Sequence, residues 1–149
     1  MTDALVAYVH YLGMMMLMAA LVSEHLLLGG PLDLRRAKQL AVTDLIYGFA
    51  AAAVLLSGVL RMLYFGKGGP FYFGNPLFHV KLTLFVIAAL LSVYPTVQIL
   101  GWRAGLKSGQ TPEVPPRRAL VMRRIIRLEL LAIALIPLFA VLMGRGFGY

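Results

Sequence analysis

The chain has 149 residues, of which 60% are hydrophobic and 13% are charged, and its mean hydropathy is +0.83. So little polar surface excludes a soluble globular domain, and the absence of cysteine excludes disulfides, thiolate metal sites, iron–sulfur clusters and covalently attached c-type haem. The formal net charge of +8 does not indicate nucleic-acid binding here, because basic loops that orient membrane spans account for it.

Four apolar segments are long enough, or nearly so, to cross a bilayer, which takes about 20 residues. They predict an all-α fold, an integral membrane four-helix bundle that forms one domain over residues 1–149. The predicted spans are about 4–28, 42–64, 76–100 and 124–144. Turn-forming and helix-breaking residues separate them, in GGPLD, KGGPFYFGNP and KSGQTPEVPPRR. Neighbouring spans therefore run in opposite directions.

The second and fourth helices are predicted to begin outside the membrane. Asp33 is a suitable N-cap for LRRAKQLAVTDLIYG, and Pro116 suits the first turn that leads into RRALVMRRIIRLELL. Both starts are long, basic and amphipathic, so we expect them to lie at the level of anionic lipid headgroups.

Basic residues are distributed unevenly between the two sides of the predicted bundle. The first and third loops share one side and carry Arg35, Arg36, Lys38, Arg103, Lys107, Arg117, Arg118, Arg123 and Arg124. The other side has Arg61, Lys67, Lys81 and Arg145. The positive-inside rule therefore predicts that both termini face outward, into the periplasm of a Gram-negative host, and that the protein is a multi-pass protein of the bacterial inner membrane.

Small residues recur near helical spacing along the second span, at Gly48, Ala51, Ala52 and Gly58. Such residues let membrane helices approach closely or leave room for a flat ligand. Close packing is the interpretation that we expect to hold.

Charged residues near the inner face predict a structural network. Asp44 follows the Asp33 cap by about the same number of residues as Arg127 follows Pro116, which places both at one depth. We expect an Asp44–Arg127 ion pair because an unpaired charge in the membrane is costly. Glu24 and Glu129 are predicted to lie nearby.

Polar residues near the outer face predict a possible ligand site. His10 on the first span and His79 on the third share a depth, and paired histidines on membrane helices are the usual axial ligands of b-type haem. His79 and Lys81 are two residues apart, so only one of them faces the bundle. Met14 lies one turn from His10 and is a second candidate ligand, although flexible apolar packing is the simpler interpretation of the MMMLM run. The alternative is that the histidines bond interfacial water and that Lys81 reaches for the headgroups.

The layout resembles a family of small bacterial four-helix membrane proteins of unknown function, through DLIYGFAA, GVLRMLYFGKG, NPLFHVKL, YPT and RLELL. More distantly it resembles the HemJ-type protoporphyrinogen oxidases and the CopD copper-resistance membrane domain. In the HemJ type, a first-helix histidine taken to ligate haem and a third-helix lysine form the functional pair. These correspond to His10 in YVHYLG and Lys81 in FHVKL, whereas SEHLLL replaces the arginine-bearing motif that closes the first helix there.

The resemblance implies a haem b or tetrapyrrole-related redox role, with His10 as the metal ligand, Lys81 facing the bundle and His79 turned toward the interface. His79 and Met14 remain further cofactor-binding candidates from their positions alone. Lys81 and Arg61 would act as the catalytic cations, offered to a porphyrin propionate or a quinone-like headgroup. A homodimer is expected, because four helices enclose little volume for a haem. Two alternatives stay open, a non-catalytic accessory or assembly subunit and CopD-like handling of metal ions.

Overall fold

The computed structural model describes residues 1–65 and 68–148, so Lys67, which contributed to the orientation prediction, lies outside the described residues. The described chain is helical and contains no β-strand. Its helices are α1 (Thr2–Leu27), α2 (Leu34–Leu60), α3 (Gly69–Phe73), α4 (Pro76–Lys107) and α5 (Pro116–Gly144), and a π-helical turn, Arg61–Phe65, continues α2.

Four of these helices are long and apolar enough to cross a membrane: α1, α2 with its π-helical turn, α4 and α5. The predicted all-α membrane four-helix fold is therefore confirmed. The helices extend beyond the predicted spans, and α4 continues to Lys107. Two ends can be distinguished. The terminal end holds Met1, α3 and residues 144–148, and the basic end holds residues 28–33 and 108–115.

The predicted helix starts are confirmed at both basic extensions. The Asp33 carboxylate accepts a hydrogen bond of 2.7 Å from the backbone N–H of Arg36, which caps α2. Helix α5 begins at Pro116, whose fixed φ suits a first helical turn. At the terminal end, Asn75 caps α4 and also donates to the carbonyl of Phe147, which ties the C-terminal segment to α4.

The bundle consists of two tightly packed antiparallel pairs, α1 with α2 and α4 with α5, and α2 packs only loosely on α4. Its core is made of aliphatic side chains from all four long helices, among them Leu21, Leu40, Ala88, Ile99 and Ile126.

A cavity of about 280 Å³ lies where α2 and α4 are loosely packed. Its lining is mostly apolar, with Tyr47, Ser92 and Thr96 as hydroxyl-bearing residues and Asp44 at the edge nearest the basic end.

The close-packing prediction for the small residues of α2 is wrong at Gly48. This glycine is exposed, has no neighbour within 4 Å of a Cβ position, and lines the α2–α4 cavity. The close approach is instead made by Gly13 of α1, where a Cβ would lie 3.0 Å from Val54 Cγ2 and 3.5 Å from the Ala50 carbonyl oxygen. The stripe on α2 was visible in the sequence, but its partner glycine lies on another helix.

The orientation of the bundle stays a prediction that cysteine labelling tests. Thr2 and Thr111 are both exposed, one at each end, and the chain has no native cysteine to interfere. We expect an impermeant maleimide added to spheroplasts to label Thr2→Cys but not Thr111→Cys, and both to react after permeabilisation. Labelling of Thr111→Cys alone in intact spheroplasts would reverse the orientation.

Candidate functional site

Three buried carboxyl groups meet within the half of the bundle nearest the basic end. Glu24 of α1, Asp44 of α2 and Glu129 of α5 are 2%, 4% and 1% exposed, and they are close enough to interact electrostatically. Thr96 of α4 donates a 2.6 Å hydrogen bond to Asp44, while Oε1 of Glu24 and Oε1 of Glu129 have no partner within the described part of the chain. The cluster therefore joins all four long helices at one level.

The predicted Asp44–Arg127 ion pair is wrong. Arg127 is exposed and lies near His25, and the arginine that interacts with Asp44 is Arg103 of α4. Depth was predicted from residue counts, but the direction around the helix decides the contact. Glu129 faces the bundle, and a residue two positions earlier on an α-helix points about 200° away.

A double-mutant cycle tests this correction. We expect Asp44→Asn and Arg127→Leu to add in the free energy of unfolding, to within about 0.5 kcal/mol, because the two side chains share no contact. The matched cycle of Asp44→Asn with Thr96→Val should show a coupling of about 0.5–3 kcal/mol, because these residues share a hydrogen bond. A coupling above about 1 kcal/mol for the first pair would restore the predicted ion pair.

Near the terminal end, the His10 side chain is fixed against α2. Its Nδ1 lies 3.1 Å from the Val54 carbonyl oxygen and 3.0 Å from Ser57 Oγ, and the Ser57 hydroxyl itself donates to the Ala53 carbonyl. A carbonyl only accepts, and the Ser57 proton is already used, so we assign the imidazole proton to Nδ1. The Nε2 lone pair is then available, and within the described part of the chain Nε2 has no hydrogen-bond partner.

Two cations accompany His10. Arg61 of the π-helical turn and Lys81 of α4 both lie close enough to His10 to interact with it electrostatically. The Arg61 guanidinium stands 5.2 Å from the centroid of the Tyr11 ring, and Lys81 Nζ stands 5.8 Å from that of Phe78. Neither forms an ion pair with a carboxylate of the described chain. We call His10, Arg61 and Lys81 the terminal-end site.

The other two predicted ligands are His79 and Met14. His79 is exposed, and its Nε2 lies 2.9 Å from the Phe73 carbonyl oxygen, so it contacts α3 rather than His10. Lys81, two residues further on, is the partly buried member of the two. Met14 is partly buried one turn along α1 from His10. The structure does not bring His79 to His10, and its role as a cofactor ligand stays a prediction.

Sequence reasoning missed Ser57 and named Gly58 only as part of the small-residue stripe on α2. Ser57 is buried and holds His10, and Gly58 leaves the space that its ring occupies, because a Cβ there would lie 3.2 Å from His10 Cε1. The available signal was the SG pair in VLLSGVL, one turn before Arg61. The π-helical turn at Arg61 had no visible sequence signal, although such turns are frequent at functional sites.

These features define a four-helix protein of the membrane with a basic, histidine-centred site at one end and buried acids toward the other. The chain belongs to a family of predicted membrane proteins, DUF2214, whose family model matches residues 2–148. No curated protein and no solved structure matches it. The resemblance to the HemJ and CopD proteins therefore stays a prediction.

Proposed function

We propose that the terminal-end site binds haem b or a related tetrapyrrole, and that His10 Nε2 would hold its iron. The observation that supports this most strongly is the contact of His10 Nδ1 with the Val54 carbonyl oxygen, which assigns the ring proton to Nδ1. Histidines that bind metals almost always donate their other ring N–H to a carbonyl or carboxylate, which orients the ring and makes the free nitrogen a better ligand. The bond from His10 Nδ1 to the Val54 carbonyl is of this kind.

The two cations suit the other end of such a ligand. A porphyrin carries propionate groups, and charge-assisted hydrogen bonds from Arg61 and Lys81 would hold them near the membrane interface. The same cations would serve a quinone-like headgroup. When bound, haem supplies a one-electron redox centre. The protein's own contribution is to orient the imidazole through Val54 and Ser57 and to place positive charge beside it.

The surface position of the site favours a homodimer within this proposal. His10 is only partly buried, and its neighbours Tyr8 and Tyr11 are 62% and 58% exposed. A flat ligand would therefore lie along the outside of α1 and α2, where a second copy of the chain would cover its other face.

A second candidate is a non-catalytic accessory or assembly subunit. The carboxyl cluster favours it, because Glu24, Asp44 and Glu129 join the helices without forming an ion pair in the described chain. CopD-like handling of metal ions has less support. Among the described residues, no group of three His, Asp or Glu side chains could hold a metal ion.

Haem titration of two glycine variants tests the proposal. We expect wild-type protein in mild detergent to bind hemin with a Soret shift, and Gly58→Ala to weaken this binding, because its Cβ would lie 3.2 Å from His10 Cε1 and the ring must shift to accommodate it. Gly48→Ala in the same helix is the matched control and should bind as the wild type does, because nothing lies within 4 Å of its Cβ. If wild-type protein binds no hemin or porphyrin, the haem proposal fails and the accessory-subunit function remains. Equal binding by Gly58→Ala and the wild type would count against a binding mode that depends on the His10 ring position seen here.

A further inference from the structure

A second cavity, of about 340 Å³, lies at the basic end of the bundle, far along α1 from His10. His25 and Leu26 of α1, Gly29 and Gly30 of the following turn, Arg36 of α2 and Arg123 of α5 line it. We call it the basic-end cavity. The ends of α1 and α2 on either side of one turn, and the distant helix α5, thus each contribute a basic side chain to one space.

Three polar atoms that line this cavity lack a hydrogen-bond partner in the described chain. Arg36 Nη1, Arg123 Nε and His25 Nδ1 are all buried and, among the described residues, have no hydrogen-bond partner. A guanidinium nitrogen only donates, so a buried one that donates to nothing is a cost that a native protein rarely carries. Arg127 adds to the positive charge, because it too acts on His25 electrostatically.

No acidic side chain of the described chain neutralises this group by an ion pair. Asp33 is close in sequence to Arg36, but its carboxylate accepts from the backbone N–H of Arg36 and caps α2. Glu24 is next to His25 but belongs to the carboxyl cluster. Like charges held close together repel, and an anion among them would remove that repulsion.

Hydrogen bonds to the last carbonyls of α1 do not account for the buried arginine nitrogens. Arg123 Nη2 lies near Gly29, 3.6 Å from where a Cβ would stand, so the guanidinium is within reach of the last turn of α1. A cation there is favourable for the helix dipole. However, the buried nitrogens Arg123 Nε and Arg36 Nη1 donate to no carbonyl of the described chain. Both arginines line the cavity, and the hydrogen-bonding capacity of these two nitrogens is unused among the residues that the structure describes.

Gly30 keeps the cavity in this form. The Arg36 guanidinium occupies the space that a Cβ at position 30 would need, so any side chain there would displace it. The backbone of Gly30 has no positive φ, so alanine is tolerated by the backbone itself.

We propose that the basic-end cavity binds a phosphate group, held by Arg36, Arg123 and His25. Two guanidinium groups and an imidazole N–H match the several oxygens of a phosphate, and arginine suits such multi-point recognition better than lysine. The cavity lies where α1 ends and the basic starts of α2 and α5 begin, which is the level of lipid headgroups. The phosphate is therefore that of an anionic phospholipid, or a free phosphate ion of the same chemistry. This proposal is independent of the haem proposal.

Thermal unfolding of the purified protein in mild detergent tests the site. The three probes are dioleoylphosphatidylglycerol in mixed micelles, dioleoylphosphatidylcholine in the same micelles, and inorganic phosphate, because a ligand that binds the folded state raises the Tm. We expect phosphatidylglycerol to raise the Tm in a saturable way and phosphatidylcholine to have a much smaller effect. A saturable effect of inorganic phosphate with the same variant dependence would identify free phosphate as the source.

Matched variants distinguish binding in the basic-end cavity from attraction to a basic surface in general. Arg36→Gln and Arg123→Gln should each raise the apparent Kd for the active probe about tenfold. Arg35→Gln and Arg124→Gln remove the same charge from the adjacent exposed positions and should leave it unchanged. Gly30→Ala keeps every charge, displaces Arg36 and should also weaken binding, so the test stands even if a glutamine variant fails to fold. Gly101→Ala, with no neighbour within 4 Å, is its control. Equal weakening by the exposed and the cavity arginines, or no effect of any probe, would overturn the proposal.

Discussion

His10→Ala is expected to abolish the Soret band and the reduced b-type α band of protein purified from cells supplied with haem precursor. The substitution removes the imidazole whose Nδ1 is bonded to Val54 and Ser57 and whose Nε2 is free. Lys81→Ala and Arg61→Ala should weaken or shift the band, because they remove cations beside His10 without removing the ligand. Optical spectra at equal protein concentration measure these differences.

The other two histidines are internal controls for this result. His79 contacts the Phe73 carbonyl, and His25 lines the basic-end cavity, so His79→Ala and His25→Ala should leave the haem spectrum nearly intact. If His79→Ala removes the band as completely as His10→Ala does, both histidines are ligands. His79 would then have to leave its exposed position on α4 when haem binds.

The second large effect is expected at the contact of α1 with α2. Gly13→Leu should destabilise the bundle by about 1–3 kcal/mol, because even a Cβ at this position would lie 3.0 Å from Val54 Cγ2 and the larger side chain forces the helices apart. Val54 is also the residue whose carbonyl holds His10, so haem binding should weaken together with stability. Unfolding in a denaturing detergent measures the first effect, and hemin titration measures the second.

Gly48→Leu is the matched control for that substitution. It introduces the same side chain into a membrane helix, but at an exposed position with no neighbour within 4 Å. Its effect on stability should stay within about 0.5 kcal/mol. Equal destabilisation by the two variants would mean that Gly13 does not mark the closest approach of the helices.

Composition and turn chemistry were sufficient to predict the spans and their starts. Segments that cross a membrane must be helical because lipid satisfies no backbone hydrogen bond, and they must be long and apolar to match the hydrocarbon core. The hydropathy pattern therefore predicts most of this fold. The Asp33 cap was also predictable, because it joins residues only three positions apart in the sequence. Contacts that depend on the rotation of one helix against another were not predictable from the sequence. Arg127 was expected to pair with Asp44 and Gly48 to pack against a neighbouring helix, but Arg127 is exposed and no atom of the described chain lies within 4 Å of a Cβ at Gly48.

The terminal-end site was predictable in part. Counting residues from the helix ends places His10, Arg61 and Lys81 at one level, and the two-residue spacing requires that either His79 or Lys81 faces outward. The sequence does not show that Ser57 and the Val54 carbonyl hold the imidazole, because that contact joins positions 44 and 47 residues apart. Nor does it show that Arg36 and Arg123 share a cavity, because they lie on different helices.

Rescue of His10→Ala by added imidazole tests the central claim most directly, because it separates ligation from a structural role of the side chain. If His10 Nε2 is the axial ligand, free imidazole should enter the space left by the side chain and restore the Soret and b-type α bands in proportion to its concentration. The wild-type spectrum should not change under the same conditions. Hemin binding by His10→Ala at wild-type affinity without imidazole, or no recovery at saturating imidazole in a variant shown to be folded, would contradict the assignment of His10 as the haem ligand.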